Sequence, residues 1–155
     1  MNSSIVVRDA RASDLSFIVE GNRLMALESE GKPLDVDVLT RGVQRALDDP
    51  LRGRYLVAEA DGQVVGQLLV TREWSDWRDG WFWWIQSVYV ATEFRRKGVY
   101  RSLYLHLHDE AKDTSDVCGL RLYVERENQI AISTYESFGM VDAGYHLYEI
   151  VWPSA

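Results

Sequence analysis

Residues 81–115 indicate which kind of fold this chain adopts. Residues 81–90 are largely aromatic and β-branched, which is typical of a strand in the middle of a sheet. A short loop containing Gly98 follows this run. The helix predicted after the loop has an apolar residue at every fourth position, namely Val99, Leu103, Leu107 and Ala111. A strand leading through a glycine loop into an amphipathic helix predicts a domain in which helices cover a sheet.

Other patterns along the chain predict further strands and helices. Asp14 is a candidate N-cap for a first helix that ends at Gly31, and Asp61-Gly62 is a strong hairpin signal. We predict strands over residues 5–8, 54–60, 63–71, 81–90, 119–124 and 145–151, with a polar loop over 73–80. Besides the first helix, we predict helices over residues 35–48, 99–115 and 129–138. This order indicates a single domain of the α/β or α+β class.

Length and charge exclude several classes of function. The chain has 155 residues, the size of one ordinary domain, and a formal net charge of −7 disfavours nucleic acid as a partner. Its longest apolar run has five residues, against the roughly 18 that a membrane span requires, so we expect no membrane association. An acidic protein suits a cationic substrate such as an amine, although acidity also serves solubility alone.

The number and spacing of cysteine and histidine residues indicate the cellular compartment and whether the protein binds a metal. Cys118 is the only cysteine, which excludes an internal disulfide and fits a reducing cytoplasm. The N-terminal segment reaches Arg8 after three apolar residues and lacks the apolar core of a secretory signal. The histidines at 106, 108 and 146 have no metal-ligand spacing, so we expect no metal.

The loop around Gly98 carries an unusual charge pattern. Four cations lie within seven residues there: Arg95, Arg96, Lys97 and Arg101. Cations are unfavourable at a helix N-terminus, where unpaired N–H groups already create partial positive charge, unless an anion binds. Glycine lets an anion approach the backbone closely. The pattern predicts a pyrophosphate site, the alternative being a basic first turn without a ligand.

Two motifs here resemble the GNAT superfamily of N-acetyltransferases. The superfamily signature is Gln/Arg-x-x-Gly-x-Gly/Ala after a central strand, and residues 95–100 match it except at Tyr100, which replaces a small residue. Residues 128–140 resemble a second motif, with Asn128, Tyr135 and a Phe-Gly-aliphatic ending. With the matching order of strands and helices, the resemblance covers nearly the whole chain.

The resemblance implies both a fold and an activity. The implied fold is a single GNAT-like α/β (α+β) domain over residues 1–155, with a mixed, mostly antiparallel sheet of six to seven strands and about four helices. The implied activity moves an acetyl group from acetyl-CoA, the co-substrate, to a primary amine of a small molecule or peptide. Independently of the resemblance, an exposed tryptophan-rich strand or the terminal strand would offer a surface for a homodimer. The alternatives are a non-catalytic acyl-CoA sensor and an interaction domain whose basic loop binds another phosphate compound.

The resemblance also implies roles for individual residues. Backbone groups of Val88, Tyr89 and Val90 would hydrogen-bond the pantetheine arm. The arm would enter where the predicted strands 81–90 and 119–124 splay apart. The pyrophosphate would bind a loop and first helical turn made of Arg95, Arg96, Lys97, Gly98, Val99, Tyr100 and Arg101. Asn128 would contact the cofactor arm, and Tyr135 would protonate the leaving thiolate as general acid.

The general base and the acceptor contacts are less determined. Diamine acetyltransferases of this superfamily carry a glutamate where this chain has Gln86, which can orient an amine or a water but cannot accept a proton. Glu28, Glu30, Glu73 or a water chain are the alternatives. Trp84, on the same strand face as Gln86, and Glu28 are the predicted acceptor contacts, because tryptophan and carboxylate groups attract ammonium ions. The alternative for Trp84 is packing in the core.

Overall fold

A five-stranded sheet is the main feature of the structure, a computed structural model that describes residues 4–153. In chain order and in spatial order its strands are β1 (Ile5–Asp9), β2 (Arg54–Ala60), β3 (Gln63–Ser75), β4 (Gly80–Val90) and β5 (Val117–Leu122). Neighbouring strands are antiparallel from β1 to β4, and β5 runs parallel to β4. The mixed, mostly antiparallel sheet is therefore confirmed, with five strands rather than six or seven.

The described residues form four α-helices, as expected. They are α1 (Leu15–Glu30), α2 (Val36–Asp48), α3 (Val99–Asp113) and α4 (Gln129–Ser137). The apolar stripe predicted for α3 is buried at all four of its positions. Within residues 4–153, no helix is long and apolar enough to cross a membrane.

The chain divides into two units, Met1–Tyr123 and Val124–Ala155. Helix α4 belongs to the second unit. The strand predicted over residues 145–151 does not form, because apolar alternation becomes a strand only where a neighbouring strand supplies hydrogen bonds. The single domain over residues 1–155 remains a prediction. The described chain does not include residues 1–3 or 154–155. Residues 1–3 belong to the N-terminal segment that was predicted to lack a secretory signal.

Helices α1 and α3 cover opposite faces of the sheet. The side chain of Gln67 in β3 lies against Ile18 and Asn22 of α1. The adjacent Gly66 faces α3 so closely that a Cβ there would lie 2.7 Å from Val99. Successive residues of a strand point to opposite faces, so the two contacts place the helices on different sides. Glycine at position 66 allows α3 to pack against the strand.

The two predicted turn signals act as expected, and Asp35 forms a cap that was not predicted. Asp35 caps α2 by accepting hydrogen bonds from the N–H groups of Asp37 and Val38. Gly31 ends α1 at a left-handed φ of 61°. Asp61 and Gly62, at φ values of 53° and 78°, form the two-residue hairpin between β2 and β3. Asp14 occupies the predicted N-cap position of α1, but its side chain makes no cap hydrogen bond.

The carboxylate of Asp14 is instead bound by Arg8 at 2.8 Å and by the backbone N–H of Arg11 at 2.7 Å. Burial raises the pKa of the Asp14 carboxyl, but hydrogen bonds from Arg8 and Arg11 outweigh it, so the pKa lies below its usual range. A lowered folded-state pKa stabilises the fold above the unfolded-state pKa, and this contribution is lost as pH falls through the folded-state value.

Asp14→Asn is therefore expected to lower the free energy of unfolding by roughly 2–3 kcal/mol at pH 7, because the half-buried Arg8 keeps its ion pair with Glu59 but loses its charged partner at position 14. Denaturant titration at several pH values measures the loss, which should shrink below about pH 4. Glu20→Gln, which breaks a surface ion pair with Arg23, is the control and should change little. A loss that is independent of pH would contradict this account.

Candidate active site

Strands β4 and β5 pair along only half of β4. Their register runs from Trp81 opposite Val117 to Ile85 opposite Leu122, where β5 ends. Within the described part of the chain, residues 86–90 of β4 therefore pair with β3 alone. An unpaired strand edge of this kind can bind an extended chain through its backbone groups. It contains the three residues predicted for the pantetheine arm, Val88, Tyr89 and Val90.

A bulge interrupts β4 directly before these residues. Gln67 pairs with Tyr89, whereas Leu69 pairs with Gln86, so β4 holds one extra residue between these pairs. Ser87 lies in the bulge and adopts a φ of 52°, a conformation that non-glycine residues rarely adopt and that costs about 1–3 kcal/mol. Strain of this size persists where the surroundings enforce it, as at a functional site.

The bulge determines which side chains of β4 share a face. Residues directly opposite each other in an antiparallel pair point the same way, so Gln86 lies on the face of Leu69 and Tyr89 on that of Gln67. This is the face that α1 covers. The amide of Gln86 donates a hydrogen bond to the hydroxyl of Thr71 at 2.6 Å. Gln86 is thus held in a fixed orientation on the α1 side.

The loop between β4 and α3 leaves the helix N-terminus uncapped. Gly98 is the N-cap residue of α3, at a φ of 83°, and no side chain within residues 4–153 caps the helix there. Apart from the adjoining residues, no atom of the described chain lies within 4 Å of the position that a Cβ on Gly98 would take. Arg96 also has a positive φ, of 63°, and both Arg96 and Lys97 are exposed. An open, basic helix N-terminus is a suitable site for a phosphate group.

Arg95, the first cation of the predicted loop, is bound within the protein. Its Nε donates to the carbonyl of Val90 at 2.9 Å, and its Nη2 donates to Glu28 at 2.7 Å. The guanidinium also lies over the ring of Tyr89, at 5.6 Å from the centroid. Glu28, predicted to contact the acceptor, is thus in an ion pair that connects α1 with the start of the loop.

Tyr100 is the one departure from the loop signature. It is the second residue of α3, and its ring lies 6.4 Å from that of Tyr104, centroid to centroid. Tyr104 is buried, and this burial raises the pKa of its phenol. The larger residue at position 100 is therefore accommodated by packing along the helix.

Trp84, the other predicted acceptor contact, belongs to an aromatic and ionic cluster. Its ring lies 4.5 Å from that of Tyr123, and its Nε1 donates to Glu73 at 3.3 Å. Arg121 donates to the same carboxylate oxygen at 2.6 Å. Glu73, one of the alternatives for the general base, is therefore also held in an ion pair.

A buried polar network near the bulge was not predicted from the sequence. Gln67 donates to Asn22 at 3.0 Å and to the carbonyl of Ser87 at 3.4 Å, and Asn22 donates to the hydroxyl of Tyr55 at 3.4 Å. Burial raises the pKa of the Tyr55 phenol, with a smaller opposing effect from Asn22. The signal in the sequence is Asn22 itself, a polar residue one helical turn after Ile18 on the buried stripe of α1.

A cavity of about 360 Å³ lies between α1, α2 and the sheet, beside this network. Asn22 and Tyr55 line it, as does Ser87 of the bulge. The cavity thus reaches the position on β4 where the unpaired edge begins.

The last two predicted site residues lie in the second unit. Asn128 is the N-cap of α4, and its side-chain oxygen accepts a hydrogen bond from the N–H of Ala131 at 3.1 Å. Tyr135 lies two turns further along α4 and is half-buried. The roles of both residues at the site remain predictions.

A mixed sheet whose fourth and fifth strands part beside a helix that begins at Gly98 is the arrangement expected of an N-acetyltransferase fold. Residues 22–140 match the model of a family described as the acetyltransferase (GNAT) family, so the chain belongs to that family, as predicted. It is also similar to a crystal structure described as a possible acetyltransferase from Clostridium difficile. The two are 45% identical with a TM-score of 0.90, and the match covers 97% of this chain and 99% of the other.

Two curated relatives have described acceptors. A spermidine N(1)-acetyltransferase of Vibrio cholerae is 27% identical over 152 residues, covering 96% of this chain and 85% of the relative. An L-amino acid N-acyltransferase of Escherichia coli is 36% identical over 92 residues, covering 56% of this chain. This second match spans 49%, about half, of the length of that relative. Both relatives transfer an acyl group to nitrogen, and their acceptors differ.

Proposed function

We propose that this protein is an acetyl-CoA-dependent N-acetyltransferase that acetylates the primary amine of a small molecule. The observation that carries the proposal is the unpaired half of β4, which continues into the uncapped N-terminus of α3 at Gly98. An extended pantetheine arm can pair with the first, and a pyrophosphate can bind at the second. Family membership and the two N-acyltransferase relatives support the same activity.

The proposed reaction is direct attack of a neutral amine on the thioester carbonyl. The nitrogen forms a bond to the carbonyl carbon, the oxyanion is stabilised by backbone N–H groups of β4, and the carbon–sulfur bond then breaks. The nitrogen loses a proton, and the leaving thiolate gains one. Arg96 and Lys97, exposed beside Gly98, attract the phosphates of the donor.

Proton removal from the amine is proposed to occur through water. Gln86, which donates to Thr71, can orient a water but cannot accept the proton. The carboxylates of Glu28 and Glu73 are each held in an ion pair with an arginine, at 2.7 Å and 2.6 Å, and are not proposed as the base.

Tyr135 is proposed as the general acid that protonates the thiolate, and Asn128 as a contact of the cofactor arm. Support for both comes from the resemblance of residues 128–140 to the second family motif. An ordinary phenol, with a pKa of about 10, is a weaker acid than a thiol, at about 8.5. A hydrogen bond to sulfur as negative charge develops avoids most of that uphill difference.

The second candidate function is a sensor that binds acyl-CoA without turnover. It is favoured by one observation, the glutamine at position 86 in place of a potential base. The experiment that separates the two is incubation with acetyl-CoA and separate amines (L-amino acids, polyamines and aminoglycosides), with mass spectrometry of the products. An N-acetylated amine supports the enzyme. Stabilisation by CoA, about 2.7 kcal/mol at 100 times the dissociation constant, without any product supports the sensor.

A further inference from the structure

The cavity between α1, α2 and the sheet lies next to the proposed reaction centre. Ser87 lines the cavity and immediately precedes residues 88–90, which are proposed to hold the pantetheine arm. A molecule in the cavity would therefore lie beside the end of that arm, where the thioester carbonyl has to be attacked. This location suits the acceptor of the proposed reaction.

The walls of the cavity are mainly apolar. The apolar contributors are Met25, Leu34, Leu39, Val43, Ala46 and Leu69. The volume of about 360 Å³ is near the lower end of the range of about 300–1,000 Å³ for small-molecule sites. A cavity of this size and lining fits one compact molecule with an apolar group and does not suit a large polar sugar.

The charge of the lining further restricts the acceptor. Among the described residues that form it, Arg52 is the one charged group, and no carboxylate lines the cavity. The Arg52 guanidinium lies 3.6 Å from Asp49, beyond hydrogen-bond distance, and 58% of the side chain is exposed. It can therefore turn to another carboxylate, for which its planar fork is suited. A polyamine would meet this cation, and the described residues of the lining supply no anion to pair with its charges.

The lining also offers neutral hydrogen-bond acceptors for an amine. Asn22, Tyr55 and Ser87 line the cavity and each carries a side-chain oxygen, although the oxygens of Asn22 and Tyr55 already accept one hydrogen bond each within the buried network. A neutral amine, the form required for attack, is bound by such groups without the pKa increase that a carboxylate neighbour would cause.

These observations point to a particular substrate class: we infer that the acceptor is an α-amino acid with an apolar side chain. The side chain occupies the apolar cavity, the carboxylate binds Arg52, and the α-amine is acetylated beside Ser87. This inference rests on the proposed function and names the acceptor for it.

The first test compares leucine with isopentylamine, which is the same molecule without the carboxylate. In wild-type protein, kcat/KM for leucine should exceed that for isopentylamine at least about 10-fold, the value of one charge-assisted hydrogen bond. In Arg52→Gln this ratio should fall by about 10- to 100-fold. Arg41→Gln removes the same charge from an exposed position of α2 outside the cavity lining and should leave the ratio unchanged.

The second test fills the cavity. Gly42 lines it from α2, and among the described residues no atom outside the adjoining turns of α2 lies within 4 Å of a Cβ placed there. Gly42→Leu should preserve or raise the melting temperature, because leucine favours a helix more than glycine does. It should lower kcat/KM for leucine and isopentylamine alike by at least about 10-fold, as expected from blocking an apolar pocket. Affinity for CoA should not change. The matched control is Arg41→Leu, which places a leucine at an exposed position of α2 outside the cavity lining and should leave kcat/KM unchanged.

Three results would overturn the inference while leaving the proposed function intact. They are a preference for spermidine over leucine, methionine and phenylalanine, an unchanged leucine-to-isopentylamine ratio in Arg52→Gln, and full activity in Gly42→Leu. Absence of an acetylated product from every amine, despite CoA binding, would overturn both the inference and the proposed function.

Discussion

Replacing Gly98 with valine is expected to weaken CoA binding by about 100-fold, or about 2.7 kcal/mol, while the protein remains folded. Gly98 has a φ of 83°, which a β-branched residue adopts only with strain. Apart from the adjoining residues, no atom of the described chain lies within 4 Å of the position of a Cβ, so the substitution distorts the loop without disturbing the core. Distortion displaces the N–H groups at the start of α3, where the pyrophosphate is proposed to bind. Titration calorimetry with CoA measures the loss.

Gly62→Val is the matched control for this prediction. Gly62 also has a positive φ, of 78°, and open space around the position of a Cβ, but it lies in the hairpin between β2 and β3. Both variants should lose a similar amount of stability in thermal unfolding, and only Gly98→Val should lose CoA affinity. If Gly98→Val bound CoA within a few-fold of wild type, the phosphate site would have to lie elsewhere.

Tyr135→Phe is expected to lower kcat by about 10²- to 10³-fold with little change in CoA affinity. The variant removes one hydroxyl group, and a positioned general acid contributes an effect of this order. Single-turnover measurement with saturating acetyl-CoA and the preferred amine isolates the chemical step from product release. The loss of kcat should not depend on how fast the amine attacks, because the group that Tyr135 protonates is the leaving thiolate and not the amine nitrogen.

Tyr148→Phe provides the control for Tyr135→Phe, since Tyr148 belongs to the same unit and is 91% exposed. It should retain wild-type kcat. A wild-type kcat in Tyr135→Phe would show that the thiolate leaves without this residue, and protonation by water would then replace it in the mechanism.

Much of the fold could be predicted from local patterns. The buried stripe of α3, the end of α1 at Gly31 and the hairpin at Asp61-Gly62 depend on residues close together in sequence, and the structure confirms all three. The positive φ of Gly98 follows the same logic, because a glycine between a strand and a helix marks a turn.

Features that depend on distant partners could not be predicted. The bulge at Ser87 exists only in the register between β3 and β4, and the run of β-forming residues there gives no sign of it. Glu28 pairs with Arg95 across 67 positions of the chain, so neither residue's contact is visible in its own segment. The strand expected over residues 145–151 failed for the same reason, because strand formation requires a partner as well as propensity.

The charge of the cavity lining is opposite in sign to the net charge of the protein. The net charge of −7 favours a cationic acceptor for the protein as a whole. The lining of the cavity, with Arg52 and six apolar side chains, favours an acceptor that carries a carboxylate. A pocket selects its ligand through the groups that line it. The proposed acceptor is therefore based on the charge of the lining and not on the net charge of the protein.

The most direct test of the proposed activity is the rate of thiol release from acetyl-CoA by the wild-type protein, measured with and without each amine. We predict that release depends on the amine, is fastest with apolar L-amino acids, and saturates with both substrates. Release at the same low rate with every amine as without any, in a protein that binds CoA, would contradict the assignment as an N-acetyltransferase.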